Sequence, residues 1–111
     1  DVAELIKPQN GYKFIDVRTE EEFNNGHPVG AVNLPAFLMK KEGGFEQNKK
    51  EFTTLMMMVA DKENTKLVIG CGSGKRSAEA CNWLDEAGYK NVVDMAGGFK
   101  SWVDAGLPVK K

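Results

Sequence analysis

The chain has 111 residues, of which 41% are hydrophobic and 28% charged, so we expect one globular domain spanning residues 1–111. With a formal net charge of −1 and a pI of about 5.9, no overall basic field favours binding to nucleic acid or an anionic membrane. Two cysteines and one histidine are too few for a structural zinc site, and no apolar run is long enough to span a bilayer.

The first third of the chain predicts a strand, a helix and a second strand. The segment "YKFIDVR" (12–18) is typical of a short buried strand. Thr19 with Glu22 three residues later forms a capping-box pattern, and Gly26 suits the end of the helix that it opens. The segment "GAVNLP" (30–35) is the second strand candidate, closed by its proline.

The middle of the chain begins with a polar segment, residues 37–50, around a Gly-Gly pair, for which we predict no regular element. A helix follows, because apolar residues then recur at helical spacing: Phe52, Leu55, Met56 and Val59. The segment "TKLVIGC" (65–71) is the clearest strand of the chain.

The last third repeats the alternation of helix and strand. A helix is predicted from Ser77 to Gly88, a strand over "NVVDM" (91–95), and a short helix around Phe99 and Trp102. Such alternation indicates an α/β fold with a mostly parallel sheet. Ligands of these sheets bind beyond the carboxyl ends of the strands, where the segment 67–77 lies.

That glycine-rich segment does not fit a nucleotide-binding loop. A Walker loop needs a glycine at position 69 and a hydroxyl at position 76, which hold Ile69 and Arg76. A G-x-G-x-x-G turn also fails, because Gly70, Gly72 and Gly74 strictly alternate. The spacing therefore excludes both kinds of nucleotide site.

A cysteine-phosphatase loop, C-x5-R, is a closer match. Here the arginine comes one residue early, giving C-x4-R from Cys71 to Arg76. A shorter loop makes a tighter ring of N–H groups, better matched to one sulfur atom than to a tetrahedral oxyanion. The spacing argues against phosphatase chemistry but leaves it open.

The surroundings of Cys71 favour a reactive thiolate. It follows a buried strand, and the next residues open a helix whose first N–H groups are unpaired and favour negative charge. Gly72 and Gly74 allow turns that aim N–H groups inward, and Lys75 and Arg76 add positive charge. These features lower a thiol pKa, so we predict Cys71 to be a nucleophile rather than a buried structural cysteine.

Three separated segments resemble the rhodanese (sulfurtransferase) family across nearly the whole chain. They are "FIDVRTEEEFNNGHPVGAVNLP" (14–35), "CGSGKRS" (71–77) and "DMAGGFKSWVDAGLPV" (94–109). The chain departs from the usual pattern by "HPVGA" for H-I-P-G-A, by Met95 for an aromatic residue and by Ser101 for an acidic one. The resemblance implies a three-layer fold with a central, mostly parallel sheet of about five strands flanked by helices.

The resemblance also implies sulfur transfer by double displacement. The Cys71 thiolate would take the outer sulfur of thiosulfate or another persulfide donor and pass it to cyanide or a thiol, such as thioredoxin or glutathione. The predicted substrate-binding residues are Gly72, Ser73, Gly74, Lys75, Arg76, Ser77 and Arg18. No metal or cofactor is implied.

Four further residues have a structural interpretation. Arg18 could instead pair with the acidic run 20–22, Asp16 could cap or pair at the strand end, and His27 could be a hydrogen-bonded structural histidine. Cys81 lies on the apolar helix face, which favours a core thiol over a resolving cysteine.

Two alternatives to a sulfurtransferase stay open. One is a cysteine-dependent phosphatase or arsenate reductase of similar fold, and the other is a sulfur carrier without turnover. We expect a monomer that binds neither nucleic acid nor membrane. The absence of a disulfide framework favours a reducing compartment inside the cell, either the cytoplasm or an organelle such as a plastid.

Overall fold

Strands and short helices alternate along the chain. The computed structural model describes residues 12–72, 75–95 and 98–110. The elements in these ranges are β1 (Tyr12–Asp16), α1 (Glu20–Asn24), β2 (His27–Pro28), β3 (Val32–Asn33), β4 (Phe37–Met39), β5 (Phe45–Gln47), α2 (Lys49–Val59), β6 (Lys66–Gly70), α3 (Lys75–Glu86), β7 (Val92–Asp94), α4 (Gly98–Asp104) and β8 (Val109–Lys110).

The central sheet has the strand order β3-β1-β6-β7, and each neighbouring pair is parallel. The α/β class with a parallel sheet is therefore confirmed. The described residues supply four strands to this sheet, where about five were expected. Because the strands are parallel, their carboxyl ends lie along one edge.

The second predicted strand is shorter than its pattern indicated. Only Val32–Asn33 pair regularly with β1, against the predicted 30–35. Gly30 has a φ of 89°, which an extended strand cannot contain. Beyond Asn33 the chain still follows the sheet, because the Leu34 N–H donates to the Asp16 carbonyl at 3.0 Å.

Helices cover both faces of the sheet, and successive strand residues point to opposite faces. Ile15 faces the layer of α2 and α3, while Phe14 faces α4, where its ring meets Trp102 edge-on at 5.7 Å. The larger core lies on the α2 and α3 side and includes Val17, Phe52, Met56, Leu67, Ile69, Trp83 and Leu84. The three layers predicted from the resemblance are confirmed.

The polar segment 37–50 was predicted to be irregular, and that prediction is wrong for part of it. Strands β4 and β5 form an antiparallel hairpin there. Gly43 and Gly44 have φ values of 98° and 79°, which suit the tight turn between them. No helix within the described residues is long and apolar enough to cross a membrane.

Candidate functional site

The candidate site lies at the carboxyl edge of the sheet. Asp16 ends β1, Cys71 directly follows β6, and Asp94 ends β7. The register places Asp16 opposite Gly70 and Ile69 opposite Asp94, so these groups lie side by side. This is the edge at which the sequence placed the 67–77 loop.

The backbone of Cys71 is fixed by the beginning of α4. The Phe99 N–H donates to the Cys71 carbonyl at 2.5 Å, and the Lys100 N–H donates to the Gly72 carbonyl at 3.3 Å. Gly98 allows this approach, since its φ is 59° and a Cβ there would lie 2.2 Å from the Cys71 carbonyl oxygen. The closing segment of the chain thus supports the loop that carries the thiol.

The Cys71 side chain is 1% exposed and begins a chain of hydrogen bonds. Its thiol donates to the Ser77 hydroxyl, with Sγ and Oγ 3.5 Å apart. The Ser77 hydroxyl in turn donates to Asp94 Oδ1 at 2.7 Å. Ser77 is fully buried, whereas Asp94 is exposed. The three residues link the buried sulfur to the surface.

The position of the sulfur relative to α3 favours negative charge. Ser77 lies in the first turn of α3 (Lys75–Glu86), so its contact places Cys71 Sγ beside the amino end of that helix. This end carries a partial positive charge, which attracts anions. The Cys71 sulfur therefore lies beside a partial positive charge.

The Arg76 guanidinium is held by two neighbours, Glu22 and Phe45. Its two terminal nitrogens donate to the two carboxylate oxygens of Glu22 at 2.7 and 2.9 Å. The guanidinium carbon also lies 4.5 Å from the centre of the Phe45 ring. Gly72 lies next to this guanidinium, since a Cβ added at Gly72 would lie 3.2 Å from Arg76 Nη2.

This ion pair shifts both of its partners. The hydrogen bond from Arg76, more than any other contact, lowers the pKa of Glu22 to about 2. The same hydrogen bond is the largest cause of the raised pKa of Arg76, to which the nearby Cys71 also contributes. Both groups are therefore charged at neutral pH.

Arg18 lies in a buried ion pair. Its Nε and Nη2 bind the Asp16 carboxylate at 3.0 and 2.8 Å, and Nη2 also donates to the Gly26 carbonyl at 2.6 Å. The guanidinium stacks 4.2 Å from the centre of the Phe99 ring. Asp16, and not the acidic run 20–22, is thus the partner, and the geometry favours a structural role over anion binding.

His27 and Cys81 have structural surroundings. His27 Nδ1 lies 2.8 Å from the Phe23 carbonyl, and its ring stacks on that of Phe23 at 3.6 Å. Burial, with the nearby charges of Asp94 and Cys71, raises the pKa of Cys81 to about 12. Cys81 therefore stays a thiol, as expected for a core cysteine.

The structure describes three of the remaining predicted substrate-binding residues. Gly72 and Ser77 lie at the site, and Lys75 is exposed at the first residue of α3. Ser73 and Gly74 lie outside the described residues. Among the residues that are described, no cluster of histidine, cysteine, aspartate or glutamate side chains could hold a metal ion.

Sequence reasoning missed three residues of this site. Glu22 was recognised only as part of a capping box, although the same carboxylate reaches Arg76, 54 residues away. Gly98 carries no signal beyond the Gly-Gly pair of its motif. Asp94 could have been found, because it ends a strand next to the one that carries Cys71.

Comparison with known proteins gives one family. The sequence profile of the rhodanese-like domain matches residues 1–105. Thiosulfate sulfurtransferase 16, a chloroplastic protein of Arabidopsis thaliana, is 36% identical over 90% of this chain and 81% of its own length. The mitochondrial protein HIGH ARSENIC CONTENT 1 of the same plant is 38% identical over 87% of this chain and 56% of its own length.

A solved structure agrees with these relatives. A rhodanese from E. coli, determined with anions, superposes with a TM-score of 0.64 at 31% sequence identity. The match covers 90% of this chain and 98% of the other.

Proposed function

The chain belongs to the rhodanese-like family, and on that basis we propose that it is a thiosulfate sulfurtransferase that carries sulfane sulfur on Cys71. The observation that carries the proposal is the position of the Cys71 sulfur. It lies at the amino end of α3, in contact with the Ser77 hydroxyl.

The proposed reaction has two displacements at sulfur. The Cys71 thiolate attacks the outer sulfur of thiosulfate, a new S–S bond forms, and sulfite leaves with the electron pair of the broken bond. Cyanide or a thiol then attacks the outer sulfur of the Cys71 persulfide. The second step regenerates the thiolate and gives thiocyanate or a new persulfide.

The described residues support both steps electrostatically. The amino end of α3 favours the thiolate and the persulfide anion, which are both negative. Ser77 could donate its hydroxyl proton to the persulfide, since it already contacts Sγ. Lys75 and Arg76 both bring positive charge to the loop, but the charge of Arg76 is neutralised by Glu22. We therefore assign attraction of the anionic donor mainly to the exposed Lys75.

Thiocyanate formation from thiosulfate and cyanide tests the proposal. Cys71→Ser should abolish turnover, whereas the matched Cys81→Ser variant should keep it. Unchanged turnover in Cys71→Ser would overturn the mechanism. Uptake of one sulfur atom on Cys71 with no turnover would instead make the protein a sulfur carrier.

A second candidate activity is arsenate reduction at the same thiol. The relative named HIGH ARSENIC CONTENT 1 favours it, as does the anion-attracting setting of Cys71. The short C-x4-R loop favours sulfur transfer. Arsenate-dependent oxidation of glutathione, measured beside thiocyanate formation on the same preparation, would show which of the two activities is faster.

The physiological acceptor is proposed by chemical class alone. A persulfide with a buried sulfur needs a small or protruding thiol, such as glutathione or the exposed active-site cysteine of a thioredoxin. Transfer of sulfur from loaded protein to each thiol, followed by the loss of one sulfur atom in the intact mass, would show which is accepted.

A further inference from the structure

The hydrogen bonds of Cys71 lead out of the loop to a residue of another strand. Ser77 Oγ lies 3.5 Å from Cys71 Sγ and 2.7 Å from Asp94 Oδ1. Asp94 ends β7 and is exposed, while Cys71 and Ser77 are buried. The reaction as proposed above assigns no part to Asp94.

The direction of these hydrogen bonds depends on the charge of the sulfur. A serine hydroxyl has one proton, and an ionised carboxylate can only accept. While Ser77 donates to Asp94, its oxygen presents a lone pair to Cys71. A thiol can donate to that lone pair, whereas a thiolate or persulfide anion can only accept a hydrogen bond.

We infer that Asp94 is a positioning residue that holds the Ser77 hydroxyl in its accepting orientation and so stabilises the Cys71 thiol over the thiolate. When Cys71 ionises, the S–H proton passes to the Ser77 oxygen while the Ser77 proton passes to Asp94 and from there to water, so that the Ser77 O–H then points to the sulfur. The exposed Asp94 carboxylate is then solvated by water. The inference rests on the proposed function, in which the thiolate and the persulfide are the working states.

Among the described residues near Cys71, Arg76 and Asp16 are each paired with an opposite charge. Arg76 on α3 faces the sulfur, but it is paired with Glu22 of α1. On β1, Asp16 is paired with Arg18. Cys81 on α3 remains a neutral thiol. Asp94 thus differs from these groups in that its charge reaches the sulfur through a hydroxyl able to reverse its direction.

The test is the pH dependence of Cys71 alkylation by iodoacetamide, followed by peptide mass mapping. Alkylation reports ionisation of the thiol and requires no sulfur transfer, so it tests the inference independently of the proposed function. Asp94→Asn keeps the shape and an accepting oxygen but removes the charge. Asp85→Asn is the matched control, since Asp85 lines the same surface cavity as Asp94.

Asp94→Asn should move the midpoint of the alkylation profile to lower pH by about 0.5–1 unit. Below the parent midpoint this makes alkylation about threefold to tenfold faster. Asp85→Asn should leave the midpoint in place. A midpoint that does not move in Asp94→Asn, or that moves equally in Asp85→Asn, would overturn the inference.

A double-mutant cycle separates the hydroxyl from a direct effect of charge. In a Ser77→Ala background, Asp94→Asn should give less than half of the shift that it gives in the parent protein. An equal shift would mean that Asp94 acts through space, and Ser77 would have no part. Cys81, which stays a thiol in the folded protein, should resist alkylation in every variant and so reports that each is folded.

Discussion

The Glu22 carboxylate and the Arg76 guanidinium meet side by side: Nη1 donates to Oε1 at 2.7 Å and Nη2 donates to Oε2 at 2.9 Å. Paired contacts of this kind fix orientation as well as distance. Glu22 is itself held by the Thr19 N–H at 3.1 Å, as part of the cap of α1. The cap of one short helix therefore helps to position the loop that carries Cys71.

Removal of this ion pair should destabilise the fold. Glu22→Gln should lower the free energy of unfolding by about 1–3 kcal/mol, because the half-buried Arg76 loses its charged partner. Glu21→Gln, an exposed neighbour on the same helix, should change it by less than about 0.5 kcal/mol. Urea unfolding of the three proteins at neutral pH measures both values. An equal loss in the two variants would show that the pairing adds nothing.

The same pair predicts a pH dependence. The pKa of Glu22 is lowered from 4.5 to about 2, chiefly by the hydrogen bond from Arg76. Its stabilisation is therefore complete above the unfolded pKa and is lost as the pH falls through the folded one. The difference in unfolding free energy between parent and Glu22→Gln should be constant above pH 4.5 and shrink towards pH 2. A difference that stays constant down to pH 2 would contradict the assignment.

Gly98 should be intolerant of a side chain. A Cβ there would lie 2.2 Å from the Cys71 carbonyl oxygen, so Gly98→Ala must displace either α4 or the loop. Gly106→Ala is the matched control, because its φ of 73° is also positive but nothing lies within 4 Å. We expect about 1–2 kcal/mol of destabilisation in the control, from backbone strain alone. The Gly98 variant should lose more than this, together with sulfur transfer, and equal effects would contradict the packing.

Much of this architecture was predictable, because it depends on local patterns. The buried strand before Cys71, the capping box at Thr19 and the helix around Phe52 follow from short-range periodicity and hydrogen-bonding chemistry. The hairpin β4–β5 was missed, since its strands are short and largely exposed and carry little apolar alternation.

The candidate site was predictable only along the loop itself. Spacing within 71–77 predicts the nucleophile, but the partners Glu22 and Asp94 are contributed by other elements. Such pairings arise from the packing of strands and helices and leave no mark in the local sequence. Arg18 illustrates the same limit, because its buried partner Asp16 lies on its own strand end rather than in the acidic run that follows.

Loss of charge at Arg18 should lower the stability of the fold, whereas loss of charge at Lys75 should raise the KM for thiosulfate. Arg18→Gln should cost about 3–5 kcal/mol of stability, because it leaves the buried Asp16 without a counter-charge. Lys75→Gln should change stability by less than about 0.5 kcal/mol and raise the KM for thiosulfate. Thermal unfolding and initial rates on both variants give the comparison. A stable Arg18→Gln protein with a raised KM would assign anion binding to Arg18.

The central claim is that Cys71 carries the transferred sulfur. Its most direct test is the intact mass of the protein after incubation with thiosulfate, with peptide mapping of both cysteines. The account predicts a gain of one sulfur atom on Cys71 in the parent and in Cys81→Ser, and no gain in Cys71→Ser. Sulfur on Cys81, or an unchanged gain in Cys71→Ser, would contradict it.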